Sequence, residues 1–167
     1  AVVKQKIATR LNPLTRQFIE RSPFLCLATS DVSGACDVSP RGDPRGFVRI
    51  LDEVTLLVPE RPGNRLADSL RNIIANPHVG LLFVIPGVGD TFRVNGRATL
   101  VTDQTLLGPC AVEGKVPKLG ILVDVLEAFG NEDVHRARRE LGAERVAVLA
   151  RDHLARDAVE IGARGGG

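Results

Sequence analysis

Two arginines stand at the start of a predicted helix, where acidic residues are more usual. Residues 58–65 read VPERPGNR and run from a predicted strand into a helix predicted over 64–75. The positive end of the helix dipole disfavours Arg61 and Arg65 there by about 0.3–1 kcal/mol. Free backbone N–H groups, a flexible glycine and two guanidinium groups together form an anion site that suits a phosphate. The alternative is structural: Asp68, in the first turn, neutralises Arg65 in a surface ion pair.

Two nearby segments carry further donors that could join this anion site. Residues 39–45 read SPRGDPR and place the hydroxyl of Ser39 and two arginines on a loop. Residues 46–49 read GFVR and begin a strand with a glycine, which lets a flat ligand lie close to the backbone. The alternatives are a solvated turn for the loop and an Arg49 that faces outward on the strand.

The sequence lacks the motifs of several other ligand and catalytic sites. Residues 87–89 read GVG but lack the third glycine and the following helix of a dinucleotide fingerprint. The chain has neither a Walker loop nor a G-x-S-x-G elbow. Cys26 and Cys36 are predicted to be small core residues on paired strands rather than catalytic thiols. Three histidines lack the spacing of metal ligands and are predicted to lie on the surface, so we expect no metal: His78, His135 and His153.

Length and composition narrow the class of protein. The chain has 167 residues, 44% of them hydrophobic, which favours a single domain over residues 1–167. A net charge of +2 and the absence of Trp and Tyr argue against a nucleic-acid partner. Apolar runs fall short of the ~18 residues of a membrane helix, and no secretion signal is visible, so we expect no membrane partner. Three cysteines without a CxxC pair fit a reducing compartment, and we expect a cytoplasmic protein.

The hydrophobic pattern predicts many strands and a few helices. Asn12 and Pro13 predict a helix that runs to about Arg21. The apolar stripe predicted to face the core from the helix over 64–75 is Leu66, Leu70, Ile73 and Ile74. Strands are predicted over 24–29, 35–39, 46–51, 54–58, 79–85, 91–101 and 119–125, and further helices after Asn131 and Asp152. Such a pattern favours a small barrel with helices at its rim, because closure protects strand edges.

Three segments taken together resemble a known family. They are SPRGDPRGFVRI at 39–50, TLLVPERPGNRLADSLRNIIANPHVGLLF at 55–83 and GDTFRVNGRATL at 89–100. Their order is similar to that in the split-barrel proteins that bind flavin mononucleotide (FMN) and are related to pyridoxamine 5'-phosphate oxidase, in particular an uncharacterised bacterial subgroup. The resemblance covers about 14–128, whereas the helical tail over 130–167 diverges. It implies a mainly β, α+β fold: a six-stranded split β-barrel with peripheral helices, in a homodimer with FMN at the subunit interface.

The resemblance also implies roles for particular residues. Arg41 and the strand segment 47–49 match the part that lines the flavin and reaches its phosphate. Pro59 matches a position beside the flavin ring, and Thr91 replaces a glutamine that the second subunit contributes in the family. The cofactor-binding residues predicted in this way are Ser39, Arg41, Phe47, Val48, Arg49, Pro59, Arg61, Asn64, Arg65 and Thr91.

An FMN-dependent oxidoreductase acting on a small molecule is the function that we expect. The oxidase itself closes its substrate site with C-terminal Trp and Arg residues, and this chain has no Trp, so oxidation of pyridoxamine phosphate is disfavoured. The flavin carries the chemistry in this hypothesis, and no side chain is named as catalytic. The alternatives are a non-enzymatic flavin- or haem-binding module, a deazaflavin-dependent reductase of the same fold, and a structural dimer without a ligand.

Overall fold

The computed structural model describes residues 7–61 and 67–130. The helices in these ranges are α1 (Pro13–Arg21), α2 (Asp68–Ala75) and α3 (Gln104–Leu107), which a single 3-10 turn follows (Gly108–Cys110). The strands are β1 (Phe24–Ser30), β2 (Cys36–Gly42), β3 (Arg49–Ile50), β4 (Thr55–Pro59), β5 (His78–Val84), β6 (Thr91–Val101) and β7 (Gly120–Gly130). The helices predicted after Asn131 and Asp152 lie outside the described residues. None of the described helices has the length and apolar character needed to span a membrane.

Helix α1 forms where its local signals predict it. The side-chain oxygen of Asn12 accepts hydrogen bonds from the backbone N–H groups of Leu14 and Thr15, each at 3.0 Å. The hydroxyl of Thr15 accepts in return from the N–H of Asn12 at 2.9 Å, which completes a capping box. Phe18 and Ile19 are buried against the sheet. The predicted helix from Pro13 to Arg21 is therefore confirmed.

All the described strands belong to one antiparallel sheet in the order β2-β1-β5-β6-β7-β4-β3. It has seven strands and is not closed, so the mainly β prediction is confirmed while the six strands implied by the resemblance become seven. Strand β3 has only two residues, where a strand over 46–51 was predicted. The chain turns on both sides of it, because Phe47 N donates to Pro44 O and Leu51 N donates to Thr55 O.

The core lies between the inner face of the sheet and helices α1 and α2. Alternate residues of the central strands are fully buried there, among them Leu25, Leu27, Leu81, Phe83, Val94, Ile121 and Val123. The ring centroids of Phe18 and Phe92 lie 6.2 Å apart, which joins α1 to β6. On α2, Ile73 is buried, but Ile74 is 75% exposed, so the prediction that it faces the core was wrong. Leu66 lies outside the described residues.

Cysteine positions differ from the prediction. Leu25 and Leu27 point into the core, and because strand residues alternate, Cys26 between them points outward and is only half-buried. Cys36 stands at the start of the edge strand β2 and is exposed. The prediction that these two are core residues was therefore wrong. Cys110, after α3, is the buried cysteine.

The sheet curls until its two edges come close together. Arg41 lies on the edge strand β2, and Glu60 follows β4, the neighbour of the other edge strand. The Nη1 of Arg41 nevertheless donates to Oε2 of Glu60. A side-chain contact thus spans the gap where the strands themselves do not pair, as a split barrel requires.

Candidate functional site

The candidate site forms where the ends of β2 and β4 meet. Gly42 ends β2, and Asp43 follows it into the loop. Pro59 ends β4, and the N–H of Glu60 continues the register of β4 with β7 by donating to Leu119 O at 3.0 Å. Two ion pairs bring together the predicted segment 39–45 and residues 58–61, the described part of the predicted segment 58–65.

Two crossed ion pairs join these segments. The first is the contact of Arg41 with Glu60, whose side chains are 15% and 23% exposed. In the second, Nε of Arg61 donates to Oδ2 of Asp43 at 2.5 Å, and these side chains are 26% and 13% exposed. Each arginine thus has its charge balanced by a carboxylate from the other segment. Pairs this sheltered from solvent interact more strongly than surface pairs.

The two guanidinium groups keep donors beyond these ion pairs. Arg61 uses Nη2 to donate to the backbone oxygen of Cys110 at 2.7 Å, which leaves its Nη1 without a described partner. The Nε of Arg41 is buried and has no hydrogen-bond partner among the described residues. A buried donor without an acceptor costs free energy, so this atom fits a site that an acceptor from a ligand would complete.

A cavity of about 680 Å³ opens beside Arg61. Its charged wall is formed by Asp43, Glu60 and Arg61. The rest of its lining comes from the segment that connects the 3-10 turn to β7, which we name the 112–119 loop. The cavity-lining residues of this loop are Val112, Glu113, Lys115, Val116, Pro117, Lys118 and Leu119.

A tight two-residue turn shapes the 112–119 loop. Val112 and Lys115 exchange both backbone hydrogen bonds, at 3.1 and 2.9 Å, and between them Glu113 and Gly114 have φ angles of 51° and 73°. Positive φ at both central positions is the pattern of hairpin turns, and glycine adopts it without strain. The sequence analysis did not identify the 112–119 loop as part of the site. The Glu-Gly dipeptide at 113–114 is a weak turn signal that could have indicated the turn.

The charge of Arg49 acts on Cys110, whose backbone oxygen binds Arg61. Burial raises the pKa of the Cys110 thiol, while the positive charges of Arg49 and Arg61 act in the opposite direction. Arg49 itself is exposed at the start of β3.

The other predicted site residues occupy varied positions. Ser39 and Arg41 alternate along β2 and are both half-buried. Phe47 and Val48 belong to the hydrophobic core, and Pro59 is buried at the end of β4. Thr91 begins β6 opposite Val84 and does not line the cavity. Asn64 and Arg65 lie outside the described residues. Asp68, predicted as the alternative partner of Arg65, has its Oδ1 3.9 Å from Nη1 of Arg71.

Sequence comparison assigns the family. The family model for pyridoxamine 5'-phosphate oxidase matches residues 11–149. The chain belongs to this family. No curated protein matches the chain significantly by sequence. The family resemblance read from residues 39–100 is therefore confirmed.

Solved structures share the fold of this family member. A candidate pyridoxamine 5'-phosphate oxidase from Lactobacillus delbrueckii is 20% identical, with a TM-score of 0.59 over 76% of this chain and 99% of its own. An F420 reductase is 19% identical, with a TM-score of 0.50 over 70% and 94% of the two chains. An FMN-binding protein from Syntrophomonas wolfei is 12% identical, with a TM-score of 0.50 over 69% and 86%. At these identities the likeness establishes the fold.

Proposed function

We propose that this protein is an FMN-dependent oxidoreductase that acts on a small molecule. The observation that carries the proposal is the position of Arg61 on the wall of a cavity of about 680 Å³, in a member of the pyridoxamine 5'-phosphate oxidase family. The fold that it shares with an FMN-binding protein supports a flavin rather than an unrelated ligand. The absence of Trp sets it apart from the oxidase that gives the family its name.

The donor set fits a phosphate group. The charges of Arg41 and Arg61 are balanced by Glu60 and Asp43, and the exposed Arg49, whose charge acts on Cys110 as that of Arg61 does, adds one positive charge. Hydrogen bonds from a guanidinium to a phosphate are charge-assisted and about twice as strong as neutral ones. The free Nε of Arg41 and the remaining N–H groups of Arg61 would supply them.

Residues beyond the described ranges complete the proposed phosphate site. The sequence places Asn64 and Arg65 shortly after this cluster, and α2 begins at Asp68, four residues later than the start predicted from the sequence. With Arg65 the charge of the site rises by one unit, which suits a dianion. Four more residues contribute to the flavin site in this proposal. Ser39 lies on β2 and Pro59 ends β4, while Phe47 and Val48 directly precede β3, the neighbour of β4.

FMN supplies hydride-transfer chemistry when it is bound. The tasks left to the chain are to hold the phosphate, to fix the ring and to exclude water. The apolar residues of the 112–119 loop suit the last task, because Val112, Val116 and Leu119 line the cavity together with the charged residues. No described side chain needs to act as an acid or base for these roles.

The proposal includes a homodimer with FMN at the subunit interface, as the family resemblance implies. Thr91 is then a residue that faces the partner's flavin, with a shorter side chain than the family's glutamine. The proposal also keeps the protein in the cytoplasm, which is consistent with three free cysteines.

A titration of the purified protein with FMN tests the cofactor. We expect the flavin absorbance band to shift and the flavin fluorescence to change with saturation at one FMN per chain, while riboflavin, which lacks the phosphate, binds much more weakly. Anaerobic reduction of bound FMN by NADH or NADPH and turnover with an acceptor then test for an enzyme. Protein that takes up no FMN contradicts the proposal, and reduction without turnover favours a non-enzymatic module.

A deazaflavin-dependent reductase is the second candidate, because an F420 reductase shares the fold. The two cofactors differ in their absorbance spectra, and their titrations can be run side by side. Tighter binding of the deazaflavin than of FMN would favour the second candidate.

A further inference from the structure

The positive charges that a phosphate needs are already balanced around this cavity. Six charged residues line it, three acidic and three basic: Asp43, Glu60, Glu113, Arg61, Lys115 and Lys118. Two of the acids are in direct contact with arginines, Asp43 with Arg61 and Glu60 with Arg41. Net Coulomb attraction therefore does not account for phosphate binding here. A phosphate that binds these guanidinium groups has to compete with two carboxylates for them.

The two carboxylates satisfy only part of each guanidinium group. Among the described residues, Asp43 accepts one hydrogen bond from Nε of Arg61, and Glu60 accepts one from Nη1 of Arg41. A well-matched arginine–carboxylate pair has two parallel hydrogen bonds. Both pairs lack the second bond, and the buried Nε of Arg41 has no acceptor within the same ranges. The carboxylates thus neutralise the arginines without satisfying all of their donors.

The arrangement also allows the carboxylates to be displaced. Asp43 and Glu60 both line the cavity, and their side chains are 13% and 23% exposed, so a displaced carboxylate can turn into the cavity and be hydrated. Arg61 has a further attachment that does not depend on Asp43, because its Nη2 donates to Cys110 O at 2.7 Å. Its guanidinium group therefore stays in place when the ion pair breaks.

We propose that Asp43 and Glu60 are internal competitors of the cofactor's phosphate and set its affinity. Each carboxylate holds one guanidinium group until the phosphate displaces it. The carboxylates therefore weaken FMN binding, although they lie in the binding site and orient nothing on the ligand. The identity of the ligand rests on the proposed function, while the competition depends only on the two ion pairs.

Neutral variants of the two acids test the direction of the effect. Asp43→Asn and Glu60→Gln keep the size of the side chain and an oxygen that can accept a hydrogen bond, but a neutral acceptor binds a guanidinium group more weakly. We expect each substitution to tighten FMN binding about fivefold, while riboflavin, which has no phosphate, changes by less than about twofold. Fluorescence titration measures both ligands. Weaker FMN binding in both variants would show that the carboxylates position the arginines, and would overturn the proposal.

Glu53→Gln is the matched control. It removes the same charge from an exposed ion pair, that of Glu53 with Arg10, at the opposite end of β4 from Glu60. FMN affinity should stay within about twofold of the wild type in this variant. A gain equal to that of the site variants would assign the effect to the net charge of the protein and overturn the proposal. Circular dichroism verifies that all three variants are folded.

Inorganic phosphate separates the competition from the identity of the cofactor. Because a ligand that binds the folded state raises the Tm, we expect a given phosphate concentration to raise the Tm more in Asp43→Asn and Glu60→Gln than in the wild type. Wild-type protein that binds FMN, with no gain in either variant for FMN or for phosphate, retains the proposed function and overturns this inference. A stronger response of the variants to phosphate in a protein that binds no FMN rejects the proposed function and supports the competition.

Discussion

Arg61 links the proposed cofactor site to the stability of the fold. Its guanidinium contacts Asp43 and the backbone oxygen of Cys110, and it lines the cavity. We expect Arg61→Gln to weaken FMN binding about 10- to 100-fold, because a charge-assisted hydrogen bond contributes about 1.5–3 kcal/mol. Riboflavin affinity should change far less. Fluorescence titration with both ligands makes the comparison.

The same substitution leaves Asp43 without its cation. That carboxylate is 13% exposed, and we expect a loss of about 1–3 kcal/mol in the free energy of unfolding, measured with urea. The double variant Arg61→Gln with Asp43→Asn removes the stranded charge. Its stability should recover in part while its FMN affinity stays low. Recovery of FMN binding in the double variant would mean that Arg61 acts only through the fold.

Cys110 should be the least reactive of the three thiols. Burial raises its pKa above the ordinary value of 9.0, and its side chain is buried, whereas Cys36 is exposed. Because the thiolate is the reactive form, we expect a thiol reagent at pH 8 to modify Cys36 first and Cys110 only when the protein unfolds. Mass spectrometry of the digested protein at successive times identifies the order. Early modification of Cys110 would show that its surroundings open readily.

The raised pKa of Cys110 also predicts the direction of a pH effect. The folded state holds the thiol proton more tightly than the unfolded chain, so this contribution to stability is complete below the ordinary pKa of 9.0 and is lost as the pH rises through the folded pKa. The unfolding free energy should therefore fall more steeply in alkali for the wild type than for Cys110→Ala. Parallel curves would contradict this assignment.

At the scale of elements, the close approach of β6 and β7 requires a glycine at position 96. Strands β6 and β7 shift register between Asn95 and Gly96, and a Cβ atom at Gly96 would lie 2.4 Å from the backbone oxygen of Asp124. A clash with backbone cannot be relieved by a rotamer change. We expect Gly96→Ala to lower the free energy of unfolding by about 2–3 kcal/mol or more, measured by urea denaturation.

Gly89 provides the control for Gly96. A Cβ atom at Gly89, in the loop between β5 and β6, meets nothing within 4 Å, so Gly89→Ala should change stability by less than about 0.5 kcal/mol. A similar loss in both variants would mean that lost backbone freedom rather than the clash determines the effect.

Local elements were predictable from the sequence, and the pairing of distant ones was not. The capping box at Asn12 and the ends of α1 depend on residues within one turn of each other. The short β3 depends instead on turns at Pro44 and Thr55 that remove its neighbours from the sheet. Ile74 has the spacing of a core residue, but the part of α2 that packs on the sheet buries Ile73 and Ser69 instead.

The candidate site was predictable only in part, for a related reason. The arginines of 39–45 and 58–65 could be identified from their type and position, since guanidinium groups near a helix start indicate an anion. The partners of these arginines could not be identified from the sequence. Arg41 contacts Glu60, and Arg61 contacts Asp43, only because the sheet curls until its edges come close together. The 112–119 loop reaches the site because it leads into β7, which pairs with β4, and no local pattern encodes that pairing of distant strands.

On the scale of the whole molecule, FMN at a subunit interface would couple binding to assembly. A ligand that contacts two chains binds the dimer more tightly than the monomer, so FMN should shift the equilibrium toward the dimer by mass action. The monomer mass of 17.9 kDa makes the two species easy to separate by sedimentation velocity. We expect FMN to lower the concentration at which the dimer forms, with riboflavin as the weaker control. Stoichiometric FMN binding by a species of monomer mass would show that one chain holds the cofactor alone, and Thr91 would then have no role toward a partner's flavin.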